Sequence, residues 1–154
     1  MRVAAVMSAR LVTASPEETV QRAIARMVAE NVGAATVCEG PRLVGIFTER
    51  DVLRLAARRP DFASLPLGEV MTRPVVTVSP WDDLLGVAHL MRARRIRHLP
   101  VVEGENVLGM IGIREVLHAL VERLWQEHDP EARETAHELL RRAGVPPPKE
   151  RERA

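Results

Sequence analysis

Leu43 to Leu53 reads LVGIFTERDVL, an apolar run broken by one glycine and followed by Thr48, Glu49, Arg50 and Asp51 at the opening of a helical pattern. Sixty-four positions later, Val107 to Leu117 reads VLGMIGIREVL, so Gly45 maps on Gly109, Arg50 on Arg114, Val52 on Val116 and Leu53 on Leu117 without a gap. The register extends upstream. Val6-Met7-Ser8 faces Val70-Met71-Thr72, Ser15-Pro16 faces Ser79-Pro80, Met27 faces Met91, and Glu39-Gly40 faces Glu103-Gly104. A register held that long marks two copies of one unit, and it decides the fold before any element is assigned.

Length and charge bound the rest. A chain of 154 residues buries one sizeable core but not two large independent ones, which suits two intimately packed repeats. Apolar residues make up 46% of the chain, which excludes disorder of the main body. The net charge is +1 and aromatics are two Phe and two Trp with no Tyr, so both the basic field and the stacking rings of a nucleic-acid binder are missing. The start, MRVAAVM, is too short for a signal core, and no apolar run approaches the ~18 residues that span a bilayer. The expectation is a soluble cytoplasmic protein without membrane contact. Cys38, the single cysteine, lies in the apolar run AATVC and reads as a small buried hydrophobe.

Along the chain, Leu11–Ala14 is a short strand. Ser15-Pro16-Glu17-Glu18 predicts an N-cap, a proline at the first helical position and an acid three residues past the cap. Val20, Ala23, Ile24, Met27 and Val28 form one helical stripe, which Gly33 ends. Ala34–Cys38 and Leu43–Phe47 are strands around the turn Glu39-Gly40-Pro41-Arg42, and Thr48 caps a helix to about Arg58. The second unit repeats the order: strand Val75–Val78, cap Ser79, helix stripe Leu84, Val87, Ala88 and Met91, strands Leu99–Val102 and Val107–Ile111, then a helix from Ile113. Beyond it Leu117, Leu120, Val121 and Leu124 extend an apolar stripe, and Asp129-Pro130 opens a further helix carrying Ala132, Ala136, Leu139, Leu140 and Ala143. Gly144 and the prolines after it stop that helix, and the tail KERERA is expected to fray.

These repeats, and in particular VMTRPVVTVSP (Val70–Pro80), RIRHLPVVE (Arg95–Glu103) and GIFTERDVL (Gly45–Leu53), resemble the paired CBS domain, or Bateman module. The resemblance implies an α/β (α+β) fold of two βαββα repeats packed about a pseudo-two-fold axis, with extra C-terminal helices. The expected division is repeat 1 over 1–58, a linker over 59–69, repeat 2 over 70–121, a helical extension over 122–144 and a flexible tail over 145–154. It also implies a stand-alone regulatory module, not an enzyme, that binds an adenosine nucleotide (AMP, ADP or ATP) between the repeats and signals to a partner of unknown identity, most simply as a homodimer.

The resemblance assigns roles residue by residue. Gly45, Thr48 and Asp51 form the Gly-apolar-apolar-Thr-x-x-Asp segment in which the Asp accepts both ribose hydroxyls. Arg97, His98 and Pro100 belong to the segment set beside the phosphates, and Val75 and Val76 flank the adenine. Each has a structural alternative: Thr48-x-x-Asp51 is equally a capping box, Val75 and Val76 are equally core valines, and Arg92 and Arg94 read as a solvated face at a helix C-terminus. In the second copy Gly112 and Glu115 stand where Thr48 and Asp51 stand, so the expected site is one-sided. His89, His98, His118, His128 and His137 lack metal-ligand spacing; no nucleophile elbow or Gly-rich phosphate loop occurs, and neither cofactor nor metal is expected. The competing reading is an interaction module without ligand, acting through its C-terminal helices.

Overall fold

A computed structural model describes residues 1–126, 129–144 and 146. The chain divides into two units, Met1–Ile113 and a second beginning at Arg114. The first contains β1 (Thr13–Ala14), α1 (Val20–Glu30), β2 (Ala34–Glu39), β3 (Arg42–Thr48), α2 (Glu49–Ala56), α3 (Leu67–Val70), α4 (Leu84–Arg94), β4 (His98–Glu103) and β5 (Asn106–Gly112). α5 (Ile113–Gln126) and α6 (Pro130–Ala143) follow. β1 runs parallel to β2 and β2 antiparallel to β3, while β4 and β5 form a separate antiparallel pair. Both hairpins carry the same irregularity, between Val37 and Cys38 in one and between Val101 and Val102 in the other.

Each repeat begins by crossing to its sibling. Ser8 and Met110 exchange two backbone hydrogen bonds of 2.9 Å, and Thr72 and Ile46, their counterparts at the repeat offset, exchange bonds of 2.9 and 3.1 Å. Further out, the Val3 amide donates to the Asp82 carbonyl (3.0 Å) as the Leu67 amide donates to the Glu18 carbonyl (2.8 Å). Paired exchanges of this kind are what a pseudo-two-fold axis requires. They also explain the two matching glycines. A Cβ on Gly45 would collide with the Met71 side chain, and one on Gly109 with the Ser8 carbonyl oxygen, because the crossing segments lie directly on the strands. The stretch expected as a linker is therefore packed: Leu67 is fully buried in the core of Val20, Met27, Val37 and Phe47, with Phe62, Leu65, Val70 and Met71 against it.

Several boundaries differ from expectation. α1 is capped by Thr19, whose side chain accepts the Arg22 amide, and α4 by Asp83, which accepts the Leu85 amide. Ser15 and Ser79 lie one turn earlier, where their amides donate to Glu18 and Asp82, each at 2.8 Å; the serine, proline and acid close a turn before the helix starts. α1 ends in left-handed Asn31, not at Gly33. Val28, at the edge of the helical stripe, is 75% exposed. α2 stops at Ala56. Val75–Val78 forms no strand: its contact with the sheet is one parallel bridge, Val78 to Pro100 and Val102.

In the C-terminal unit α5 and α6 pack on each other. Asp129 caps α6, Pro130 is its first residue, and Gly144 closes it in the left-handed region. Val121, Ala136 and Leu140 are buried together, with Leu117, Leu124 and Trp125 against them. Leu117, Val121 and Leu124 of the apolar stripe are thus covered by α6, an amphipathic helix whose apolar face needs such a surface. His128, the prolines at 147 and 148 and the charged tail lie outside the described residues.

Candidate functional site

The first turn of α2 carries the sharpest sequence signal. Thr48 closes β3 in extended conformation, and α2 then begins with Glu49 and Asp51 in its first turn, where carboxylates meet the helix amides favourably. Asp51 Oδ2 accepts the Thr48 amide at 2.8 Å and the Thr48 hydroxyl at 3.1 Å, the return half of a capping box. Asp51 Oδ1 takes part in no hydrogen bond among the described residues. The cap and a ligand role are therefore compatible: one oxygen holds the helix start and the other is left to accept.

Across from this turn lies the second repeat. The Glu49 amide donates to the Gly33 carbonyl (3.0 Å), and a Cβ on Gly33 would come within 2.9 Å of His98 Nε2 and 3.4 Å of the Glu49 carboxyl carbon. Arg97 Nη2 pairs with Glu49 Oε1 at 3.4 Å, and Arg50 Nη1 donates to the Arg95 carbonyl at 2.9 Å. The segment 95–98 of one repeat is thereby set against residues 33 and 48–51 of the other. Gly33 and Ala34 occupy the positions of Arg97 and His98 in the first copy, and their small size gives the His98 ring its place.

The remaining expected residues are less concentrated. Val75 packs with Ala34, Ile46 and Met110 at the contact between the sheets, and Val76 beside it is half-buried. Pro100 is buried in β4, with its carbonyl accepting the Val78 amide. Gly45 answers to Met71. Arg92 and Arg94 are exposed on the last turn of α4, where cations suit the helix C-terminus. Gly112 ends β5 opposite His98, and Glu115 is in the first turn of α5. Reading single motifs missed Gly33, Glu49 and Arg50; the detectable signal was the small-for-large exchange at the repeat offset. Burial pushes the Cys38 thiol up, so it stays protonated at neutral pH.

Among the described residues no cluster of His, Cys, Asp or Glu is arranged to hold a metal, and no helix is long and apolar enough to cross a membrane. The family model described as "CBS domain" matches the chain twice, over residues 3–58 and 67–122. The chain is 35% identical over 111 residues to the CBS domain-containing protein YhcV of Bacillus subtilis, covering 71% of this chain and 79% of that one. It is 37% identical over 111 residues to the mitochondrial CBS domain-containing protein CBSX3 of Arabidopsis thaliana, covering 68% of this chain and 54% of that one, so it spans about half the length of that relative. Among solved structures, the CBS domain pair of protein MJ0100, in complex with 5′-methylthioadenosine and S-adenosyl-L-methionine, superposes with a TM-score of 0.73 over 80% of this chain and 98% of its own, at 23% identity. With two matched copies, the crossed hydrogen bonds between them and these relatives, the chain belongs to the CBS domain family and carries a tandem pair.

Proposed function

We propose that the chain is a regulatory ligand-binding module that takes an adenosine-containing compound, AMP, ADP or ATP in the first instance, where the first turn of α2 meets residues 95–98. The observation that carries the reading is Asp51: a carboxylate fixed by its helix cap through Oδ2, with Oδ1 unengaged, in the same first turn of α2 as Glu49, which pairs with Arg97 of the other repeat. A vicinal diol suits a carboxylate because both hydroxyls donate to it, each charge-assisted bond contributing about 1.5–3 kcal/mol. A guanidinium fork suits phosphate oxygens. The adenosine compounds bound by the MJ0100 pair support the ligand class. Gly45, Val75, Val76 and Pro100 shape the surroundings rather than carry charge.

Signalling to a regulated protein, and pairing of two copies as a homodimer, belong to the same proposal. Val28 on α1 and Leu53 on α2, 75% and 73% exposed, offer the apolar surface for a second copy. The reading as a ligand-free module acting through its C-terminal helices is weakened by α6, which spends its apolar face on α5. A thermal-shift panel decides between them. A ligand that binds only the folded state at a hundredfold excess over Kd adds about 2.7 kcal/mol, or roughly 5–11 °C in Tm at this length. Absence of any shift with AMP, ADP, ATP, NAD and S-adenosylmethionine overturns the ligand proposal.

A further inference from the structure

We infer that Glu49 tunes the charge preference of the site: by pairing with Arg97 it weakens, without abolishing, the hold on a 5′ phosphate, and leaves the hold on a neutral or cationic 5′ group unchanged. The inference rests on the proposed function, with the diol on Asp51 and the 5′ group on the Arg97 and His98 side. The first turn of α2 presents two carboxylates, not one. Asp51 turns back to Thr48, whereas Glu49 reaches across the repeats to Arg97 Nη2 at 3.4 Å. Its carboxyl carbon and the His98 ring both lie close to Gly33, within 3.4 and 2.9 Å of where a Cβ there would stand. The other cation of this turn, Arg50, is directed to the Arg95 carbonyl.

Arg97 and Glu49 are 47% and 55% exposed, so an incoming phosphate can reach the guanidinium through water. It does so by taking that guanidinium from Glu49 or by sharing it; the first forfeits the ion pair and the second sets two anions on one guanidinium, so either outcome costs the incoming phosphate. In an open site, that cost weakens binding about fivefold per phosphate charge retained at the contact. A thioether, hydroxyl or sulfonium group leaves the ion pair intact. Glu49 is thereby a specificity-determining residue whose effect is on the ratio of ligands rather than on the hold of the ribose.

Titration calorimetry of the full chain with adenosine, AMP and ATP tests this on the wild type, Glu49→Gln and Arg97→Gln. Glu49→Gln should tighten AMP and ATP about fivefold or more relative to adenosine, while the adenosine Kd stays within about twofold. Arg97→Gln should weaken AMP and ATP and leave adenosine in place. Because the small loss of helix-start stability in Glu49→Gln acts on all three ligands alike, it cancels in the ratio. Adenosine binding with an unmoved ratio, or equal changes for all three, overturns the charge filter and leaves the ribose site standing. If neither wild type nor variant binds any of the three, the ribose site itself falls and the filter with it.

Discussion

The two hairpins end in the same backbone and in different chemistry. Both accept a crossing segment through two hydrogen bonds, at Ile46 and at Met110, and the residue after each strand donates to a carbonyl across the hairpin, Glu49 to Gly33 (3.0 Å) and Ile113 to Arg97 (2.9 Å). Yet one hairpin ends in Thr48 with Asp51 beyond it, and the other in Gly112 with Glu115. Opposite them, Gly33-Ala34 is exchanged for Arg97-His98. Backbone bonds are indifferent to side-chain identity, so the scaffold tolerates divergence wherever no side chain is needed for packing. One acid–base contact between the copies results: Glu49, which the second copy replaces by Ile113, pairs at 3.4 Å with Arg97, which the first copy replaces by Gly33.

The crossing segments are where the comparison can be broken most forcefully. Leu67 and Val3 occupy equivalent positions and both are fully buried. Leu67→Ala should cost about 2–5 kcal/mol, and Val3→Ala about 1.5–3 kcal/mol, since it removes fewer carbons. At roughly 2–4 °C in Tm per kcal/mol, denaturant and thermal melts resolve both. A Leu67→Ala protein as stable as wild type would mean that the stretch between the repeats is a linker after all.

The matched glycines sharpen the point. On Gly109 a new methyl meets the Ser8 carbonyl oxygen, which is tied into the crossing pair; on Gly45 it meets the Met71 side chain, whose sulfur and Cγ, the two nearest atoms, can rotate away while Cβ gives by a few tenths of an ångström. Gly109→Ala should therefore cost about 2–3 kcal/mol and Gly45→Ala about 1 kcal/mol. Equal costs in urea melts would show that Met71 is as immobile as backbone.

Ligand response separates the copies next. Asp51→Ala should abolish most of the Tm rise given by the responding adenosine compound, a loss of up to about 2.7 kcal/mol of stabilisation, whereas Glu115→Ala should leave it nearly whole. Without ligand, Asp51→Ala loses only its capping role, about 1 kcal/mol. Equal losses of response would put the same chemistry at both hairpin ends.

The repeat, its hairpins and the helix capped by Thr48 were legible because the 64-residue offset and the turn residues at Gly40 and Gly104 are local signals, and both glycines adopt the positive φ those turns need. The crossing was not legible. Nothing in the composition of 59–69 distinguishes a free linker from one whose Leu67 fills the sibling's core, because that depends on a partner far away in sequence. Likewise Ser15-Pro16-x-Glu18 satisfies the rule for a helix start, and only the tertiary bonds of the crossing segment, Leu67 to Glu18 and Gly68 to Pro16, hold those residues as a separate turn before Thr19. The Thr48 and Asp51 pair was visible as a motif, but Glu49 was not, since its meaning lies in an ion pair with the other repeat.

The smallest expected difference lies at the ends of α1 and α4. Both helices close in a left-handed residue, Asn31 at φ 53° and Arg95 at φ 54°. Asparagine enters that region at little cost, whereas an arginine pays the Cβ contact with its own carbonyl in full, about 1 kcal/mol. Glycine removes this strain but gains freedom in the unfolded chain, which offsets part of the benefit. Arg95→Gly should thus stabilise the protein by about 0.5 kcal/mol, while Asn31→Gly should be neutral. The Arg95 side chain is exposed, and what Arg50 binds is the Arg95 carbonyl, which glycine retains, so the substitution leaves the contact between the repeats intact. Parallel thermal melts of the two variants give the answer: a gain at Arg95 alone ties the difference to the cap residue, and a loss at Arg95 would mean that its guanidinium, not its backbone, is what the second copy retains it for.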